Sequence, residues 1–254
     1  MHNRFIPLVA AAVLAVSCFH VNPNYKSGRK AVTIHGEVAS RVLDLKDFTN
    51  ILAEGSPDIT LHQADSFRVV VRTHEDLFEW LDYRVENGTL EIRTKEGHPF
   101  RMIKEYAVEV SAPAFEIIRV NGASDILMPD GYDREDGQLT FLIKGSGDVK
   151  LGRIRCVQFT AQIEGAGDLQ VKSLVTKCMS VGIKGAGDVD AGEIDVDGRV
   201  DVQVVGAGDV RLAGHAASCS VKVKGAGDAD VRHLKVDGEF HTDRYGSGEI
   251  LRAR

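Results

Sequence analysis

The chain has 254 residues, 43% of them hydrophobic and 27% charged, which is typical of a globular protein that buries a core. The formal net charge is −6, and an acidic chain repels nucleic acid, so no nucleic-acid partner is expected. Glycine is abundant, with 26 residues against 6 prolines. Such a composition favours tight turns and short strands over long helices.

Residues 1–17 have the pattern of an export signal. Arg4 supplies a positive charge, residues 8–16 are apolar, and small residues stand directly before Cys18. The apolar run is too short to span a bilayer as a stable helix, which favours a cleaved signal. We therefore predict a signal peptide over residues 1–17 and lipidation of Cys18, as in bacterial lipoproteins. The alternative is an ordinary secretory signal in which Cys18 is incidental.

These assignments also predict domain organisation and location. Residues 18–31 are expected to form a lipidated N-terminus and tether, and residues 32–254 a single domain. The first predicted partner is a membrane, reached through the lipid on Cys18. The protein is expected in the cell envelope at the outer membrane, and the sequence leaves open whether it faces the periplasm or the cell surface.

One motif recurs through the second half of the chain: a glycine, a small residue, a second glycine and an acid. Successive copies stand 19 to 21 residues apart, a period that predicts a repeat architecture. The copies begin at Gly145, Gly165, Gly185, Gly206, Gly225 and Gly246, and looser copies begin at Gly55 and Gly122.

Each repeat contains three short segments in which apolar residues alternate with polar ones. In the repeat that follows Gly145 they are residues 149–151, 154–156 and 159–163. Alternation is typical of a strand with one buried face. We predict an all-β fold, a parallel β-helix (β-solenoid) with about 20 residues per coil and strands stacked at about 4.8 Å. Leucine-rich repeats and nine-residue calcium rolls fit the pattern less well.

Three cysteines remain in the predicted domain. An odd number at irregular spacing argues against a disulfide framework, and the absence of a CxxC pair argues against zinc. Cys156 and Cys219 fall in apolar columns of the repeat, which predicts buried thiols. Cys178 falls in an outward column. We expect three free thiols.

The N-terminal half is less regular. Leu77, Trp80 and Leu81 have helical spacing, which predicts a short helix over residues 75–81. Asn87-Gly88 between two alternating segments predicts a tight hairpin. We expect helix and hairpin to cap one end of the solenoid, because an open stack of strands needs a cap. At the other end, Thr242 and Arg244 replace apolar residues and predict a polar final coil.

The acids of the motif are expected to form a column of like charges and are the candidate ligand-binding or calcium-binding ladder. They are Asp148, Asp168, Asp188, Asp209, Asp228 and Glu249. At a separation of about 5 Å, neighbouring charges repel by roughly 1 to 3 kcal/mol. Backbone amides of the glycine turns are the favoured partners that offset this repulsion, and Ca²⁺ is the alternative. No cofactor is otherwise predicted.

Small polar side chains repeat on the outer face of the third segment. They are Thr140, Thr160, Ser180, Asp201, Ser220 and His241. A solvated sheet face is the plainer interpretation, and a groove for an extended polysaccharide or peptide is the functional one. His215 and His233 have no evident acid or nucleophile partner, and no catalytic motif occurs, so no enzyme is predicted.

The leading functional hypothesis is a non-enzymatic envelope module that binds a glycan or protein partner through one face of the β-helix. Two alternatives stay open. One is a carbohydrate-active enzyme, a lyase or hydrolase, on the same fold. The other is an envelope scaffold without a soluble ligand.

Several short patterns also occur in a characteristic order. They are Phe48-x-x-Ile51, Gly55-x-x-Asp58-Ile59, Asn87-Gly88-x-Leu90-x-Ile92, Val108-x-Val110-x-x-Pro113 and Ile118-x-Val120-x-Gly122, followed by the serial glycine turns. Over about residues 32–250 this order resembles the putative auto-transporter adhesin, head GIN domain family. The resemblance implies a right-handed parallel β-helix, often secreted or lipid-anchored, and it brings no binding residues with it.

Overall fold

Strands of successive repeats pair in parallel and in register, so the chain winds into a β-solenoid. The structure, a computed structural model, describes residues 31–95 and 99–253. Strands account for 71% of the described residues, and the solenoid has about 6 turns of roughly 21 residues each, which confirms the predicted fold class. The predicted signal peptide, Cys18 and the tether up to residue 30 lie outside the described residues and stay predictions.

The secondary structure of the described residues is almost entirely strand. The strands are β1 (Val32–Thr33), β2 (Val38–Leu43), β3 (Asn50–Gly55), β4 (Asp58–Gln63), β5 (Arg68–His74), β6 (Leu81–Glu86), β7 (Thr89–Thr94), β8 (Phe100–Arg101), β9 (Tyr106–Ala112), β10 (Ile117–Gly122), β11 (Ile126–Met128), β12 (Tyr132–Gly145), β13 (Val149–Gly165), β14 (Leu169–Gly185), β15 (Val189–Gly206), β16 (Val210–Gly225), β17 (Ala229–Val236), β18 (Phe240–Gly246) and β19 (Ile250–Arg252). A 3₁₀ helix spans Glu75–Trp80. Within residues 31–95 and 99–253, no helix has the length and hydropathy needed to cross a membrane.

Each complete coil has three faces. The first sheet runs from β7 through β3 and β10 to the C-terminal parts of β12 to β16, and it ends at β18. The second runs from β9 through β4 and β11 to the N-terminal parts of β13 to β16, then β17 and β19. Segments such as Ile154–Cys156 and Leu174–Thr176 pair on the third face. We call the outward side of the first sheet the ladder face. The acids of the motif lie beside it, in the turns that lead to the second sheet.

Inward columns of apolar side chains fill the solenoid. Phe141, Ala161, Val181, Val202 and Val221 are successive neighbours in one column, and none is more than 3% exposed. Full burial of a valine side chain stabilises a fold by about 1.5 to 3 kcal/mol. Repetition of the alternating pattern therefore produces one hydrophobic core through the described coils.

The glycine turns stack directly on one another. Gly165 has a φ of +144°, and a Cβ at this position would lie 1.9 Å from the carbonyl oxygen of Gly145. A Cβ on Gly187 would lie 2.0 Å from the carbonyl oxygen of Gly167. Turn conformation requires the first glycine of each motif, and the close approach of neighbouring coils requires both.

A cap on the N-terminal end of the solenoid is built from residues 64–116 together with β2. On the second sheet, β5 pairs antiparallel with β9, and β2 pairs antiparallel with β5. On the first sheet, β6 pairs antiparallel with β7. The turn between them has positive φ at Asn87 and Gly88, 50° and 72°, which confirms the predicted hairpin.

The predicted short helix is the 3₁₀ helix of the cap. Leu77 on this helix is fully buried, and Trp80 packs against the core. The guanidinium of Arg41 lies 4.0 Å from the centroid of the Phe78 ring. Helix and hairpin therefore close the same end of the solenoid, as expected.

The last coil, at the C-terminal end of the solenoid, has polar residues in its inward columns. Thr242 and Arg244 of β18 pair with Val221 and Val223 of β16 and continue their inward columns. Both residues of β18 are nevertheless exposed, because no further coil covers them within the described residues. The expectation of a polar final coil is confirmed.

Two glycine substitutions separate coil contact from general turn flexibility. Gly187→Ala is expected to destabilise the protein by about 1 to 3 kcal/mol, because its Cβ overlaps the Gly167 carbonyl oxygen. Gly192→Ala on β15 is the matched control, since a Cβ there meets nothing within 4 Å. It is expected to be neutral or to stabilise by about 0.5 kcal/mol. Urea unfolding of both variants checks this, and equal midpoints would contradict the stacking account.

Candidate functional site

The acidic ladder is joined coil to coil by backbone amides. Each motif aspartate from Asp125 to Asp228 accepts, through Oδ1, the backbone N–H of the acidic residue in the next coil. The N–H donors and their distances are Asp148 to Asp125 (2.9 Å), Asp168 to Asp148 (3.0 Å), Asp188 to Asp168 (2.8 Å), Asp209 to Asp188 (2.8 Å), Asp228 to Asp209 (2.8 Å) and Glu249 to Asp228 (2.7 Å).

This arrangement provides the amide partners expected from the sequence. A backbone dipole faces each aspartate, so like charges can stack without bound cations. The ladder begins at Asp125, one coil before the regular motif. Among the described residues, no group of three or more His, Cys, Asp or Glu side chains is arranged to hold a metal ion. Binding of a ligand or Ca²⁺ by the ladder stays a hypothesis.

The ladder face is a flat, polar surface. Its first outward column is, as the sequence predicts, a line of aligned neighbours from Thr140 through Thr160, Ser180, Asp201 and Ser220 to His241. Neighbouring members belong to strands about 4.8 Å apart.

Two contacts between coils add to the ladder face. Lys144 Nζ lies 3.4 Å from Glu164 Oε2, an ion pair between neighbouring coils. The Gln162 side chain lies over Gly182, because a Cβ on Gly182 would be 2.2 Å from Gln162 Oε1. Because Gly182 has no side chain, the Gln162 side chain has room to lie across this part of the surface.

An aromatic group marks the C-terminal end of the ladder face. Tyr245 on β18 is 58% exposed, and Lys222 Nζ lies 5.8 Å from the centroid of its ring. His241 and Asp243 on the same strand form an ion pair at 3.4 Å when the histidine is protonated. Exposed tyrosine beside charged groups is typical of binding surfaces. Tyr245 pairs with Lys224 and lies two positions from Asp243 on the same outward side of β18.

His215 lies between two carboxylates from neighbouring coils. Its Nδ1 is 3.3 Å from Asp195 Oδ1, and its Nε2 is 2.7 Å from Asp237 Oδ2. The expectation that His215 has no acid partner is wrong, because coil winding brings together residues 20 and 22 positions apart. A protonated imidazole can donate from both ring nitrogens, so this geometry favours the cationic form of His215.

The charges of this cluster reinforce one another. The hydrogen bond with Asp237, and then that with Asp195, raises the pKa of His215. The hydrogen bond with His215, and then that with Lys235, lowers the pKa of Asp237. A cation that donates from both nitrogens has no lone pair with which to act as a base. The cluster therefore links three coils electrostatically.

The three cysteines of the described residues are free thiols, as expected. Cys156 and Cys219 are buried, and burial raises the pKa of Cys156 to about 11 and that of Cys219 to about 12. Both thiols are therefore protonated and inert at neutral pH. Cys178 is exposed, in agreement with its outward column.

Substitution of Asp168 tests what the ladder does. Asp168→Ala is expected to cost about 1 kcal/mol of unfolding free energy, because the amide of Asp188 loses its acceptor. Asp168→Asn keeps an acceptor oxygen and removes one of the stacked charges, so it is expected to be neutral or stabilising. Thermal unfolding with Ca²⁺ and with chelator measures both. A wild-type midpoint that falls with chelator, with Asp168→Asn insensitive to it, would favour Ca²⁺ instead.

The His215 cluster predicts a pH-dependent stability. The raised pKa of His215 means that its contribution is full below its ordinary value of 6.5 and is lost as pH rises through the folded value. The lowered pKa of Asp237 means that its contribution is present above its ordinary value of 3.8 and is lost as pH falls through the folded value.

His215→Gln is therefore expected to flatten the decline in melting temperature as pH rises from below 6.5 into the alkaline range. Melting curves across this range provide the measurement. His233→Gln is the matched control, because the exposed His233 ring makes no hydrogen bond with a described residue. Parallel curves for wild type and His215→Gln would show that the cluster does not contribute.

Comparisons with solved structures agree with the fold. A putative adhesin from Bacteroides fragilis has 19% sequence identity and a TM-score of 0.76, over 87% of this chain and 100% of that chain. A putative adhesin from Parabacteroides distasonis has 17% identity and a TM-score of 0.69, over 88% and 100%. A putative lipid binding protein from the same species has 21% identity and a TM-score of 0.66, over 89% and 100%.

Sequence comparison identifies the family. No match was found among curated proteins. The sequence profile described as "Putative auto-transporter adhesin, head GIN domain" matches residues 47–198 and 162–251, two overlapping stretches that together cover most of the chain. This adhesin-like family supports, in coarse terms, a protein of the cell envelope. With its stacked glycine turns and acidic ladder, the chain belongs to the head GIN domain family of putative auto-transporter adhesins.

Proposed function

We propose that this protein is a lipid-anchored, non-catalytic module of the cell envelope that binds an extended glycan or protein partner through its ladder face. The observation that carries the proposal is the exposed Tyr245, with Lys222 beside it, at the end of the ladder face opposite the cap. Tyrosine offers a large rigid contact area whose ring packs on sugars and on peptide side chains alike.

The chain enters the domain at the cap, which supports binding of a partner at the opposite end, where Tyr245 lies. β1, the first described strand, pairs with β8 beside the cap. Ten strands of the first sheet are stacked from β6, in the cap, to β18, which carries Tyr245. At about 4.8 Å per step, this stack is roughly 43 Å long. A lipid on Cys18 would therefore hold the cap near the membrane and present Tyr245 away from it.

The regularity of the ladder face fits an extended partner better than a compact one. A partner that lies along the solenoid axis meets a similar polar group at each coil, from Thr140 to Ser220. Such a surface offers many small contacts and one larger anchor at Tyr245. Binding surfaces usually concentrate their affinity in a few anchors of this kind.

The non-catalytic part of the proposal rests on the chemistry of the titratable groups. Both nitrogens of His215 are engaged with carboxylates, and each ladder aspartate accepts a backbone N–H. A glycosidase needs two carboxyl groups placed on either side of a glycosidic bond, one of them protonated. The ladder carboxylates instead share a single line along the turns.

The first experiment is a binding screen of the protein, without its signal peptide and lipid, against immobilised polysaccharides and extracellular matrix proteins. Every partner that binds is then incubated with the protein and analysed for bond cleavage. Binding without cleavage supports the proposal. Cleavage would establish a carbohydrate-active or proteolytic enzyme instead, and a lack of binding would favour a scaffold role.

Tyr245→Ala tests the proposed anchor. Loss of the ring is expected to weaken binding of the partner found in the screen by about tenfold, or 1.4 kcal/mol. The fold should be unaffected because the side chain is exposed. Leu127→Ala removes an exposed hydrophobic side chain from the second sheet and serves as the control. Equal affinities of the two variants, measured by biolayer interferometry, would exclude Tyr245 as the anchor.

A further inference from the structure

The cap carries a concentration of exposed apolar side chains. Three of the large hydrophobic residues exposed among the described residues lie here: Val38 (39% exposed), Val42 (67%) and Met102 (61%). The others are spread singly along the solenoid and are Leu127, Val175 and Tyr245. Scattered hydrophobic residues are normal on protein surfaces, whereas a group at one end indicates a contact.

Met102 is held outward by a constrained loop between β8 and β9. Its φ is +66°, a left-handed conformation that side chains other than glycine rarely adopt. On one side, the Arg101 carbonyl accepts the N–H of Ile34 at 3.1 Å. On the other, the N–H of Lys104 donates to Nε2 of the buried His74 at 3.1 Å. The surrounding structure therefore fixes Met102 at the tip of the loop.

The buried His74 explains how the loop is fixed. Its Nε2 accepts from Lys104, so its proton is on Nδ1, which donates to the Gly36 carbonyl at 2.5 Å. One side chain thus connects the loop to the segment between β1 and β2. Ile103 packs against the core directly beside the tip. Met102 is exposed while both of its neighbours are anchored.

Two cationic side chains beside Met102 favour a position of the tip at the boundary between an apolar phase and a polar one. Arg101 and Lys104 flank Met102, and neither side chain forms an ion pair with another described residue. Acids of the same region are largely occupied: Glu105 pairs with Arg72 at 3.0 Å, and Glu75 pairs with Arg41. Glu37 and Glu79 of the same region are also exposed. Their negative charges make the attraction of Arg101 and Lys104 to anionic groups modest.

The chain enters the domain at this end. The N–H of Val32 donates to the Pro99 carbonyl at 2.9 Å, and Val32 pairs with Phe100, two residues before the tip. Only twelve residues separate Cys18 from Ala31. A chain of this length spans at most about 43 Å. This reach equals the length of the stack, so the entry of the chain beside β8, and not the length of the tether, places the cap and Met102 on the side of the lipid.

We propose that the cap rests on the lipid surface, with Met102 inserted at the headgroup boundary and Arg101 and Lys104 beside lipid phosphates. The inference depends on the lipid anchor of the proposed function. Tethering raises the effective concentration of the tip at the membrane, so a single apolar side chain with two cations is enough to orient the domain. The solenoid then stands with its axis away from the membrane and carries Tyr245 at the far end.

Fluorescence quenching of the full lipidated chain tests this orientation. Met102→Cys and Tyr245→Cys are each labelled with an environment-sensitive fluorophore in a Cys178→Ser background, in which the other thiols of the described domain are buried. Both are placed in vesicles of phosphatidylethanolamine and phosphatidylglycerol that contain brominated lipid. We expect quenching at position 102 to exceed that at position 245 at least threefold. Equal quenching at the two positions would overturn the inference.

A second measurement follows the height of the far end. Energy transfer from a label at position 245 to a dye in the lipid headgroups is compared in Met102→Asp and in the control Leu127→Asp. Aspartate tolerates the left-handed backbone, so Met102→Asp should fold. We expect transfer to rise at least 1.5-fold in Met102→Asp, because the domain tilts, and to stay unchanged in Leu127→Asp. Unchanged transfer in both variants would overturn the inference.

A third variant separates this inference from the proposed function. Cys18→Ser removes the acceptor of the lipid, and the protein is expected to leave the vesicle fraction. If the lipidated chain floats with vesicles while position 102 is not quenched, the anchor holds and only the cap contact fails. If wild type and Cys18→Ser float to the same extent, lipid anchoring itself fails.

Discussion

Close stacking of one coil on the next is the constraint on which the rest of this structure depends. The backbone of each glycine turn approaches the turn before it so closely that a single methyl group would overlap a carbonyl oxygen, as at Gly165 and Gly187. Because the coils approach this closely at the turns, every other position is brought into register with its counterparts. Inward columns then fill the core, and outward columns form regular surfaces.

Stacking also decides how charge is handled. Acids that recur with the turn are forced into a line, and the same close approach brings a backbone amide onto each of them, as from Asp188 onto Asp168. On the third face, stacking places His215 between Asp195 and Asp237, where a cation sits between two anions. One geometric rule thus produces a like-charge column neutralised by amides and an alternating column neutralised by side chains.

The repetitive half of the fold was predictable because each column repeats the same chemistry. Burial of Cys156 and Cys219 and exposure of Cys178 follow from alternation alone. The acid partners of His215 were not predictable in this way, since they depend on turn lengths that differ by one or two residues between coils. The cap was predicted as a helix and a hairpin, yet the antiparallel pairing of β2, β5 and β9 leaves no periodic signal. For the candidate site, sequence located the ladder face but gave no measure of how exposed Tyr245 is.

The direction of the hydrogen bonds has a mechanical consequence. Bonds between coils run along the solenoid axis, so tension between the cap and the far end would be shared by many bonds on three faces at once. Tension applied through the N-terminal chain is different, because it reaches β1 first, and β1 pairs with β8 over only two residues, Val32 and Thr33. Under pull, β1 would peel away before any coil separates, which lengthens the tether while the binding face keeps its shape.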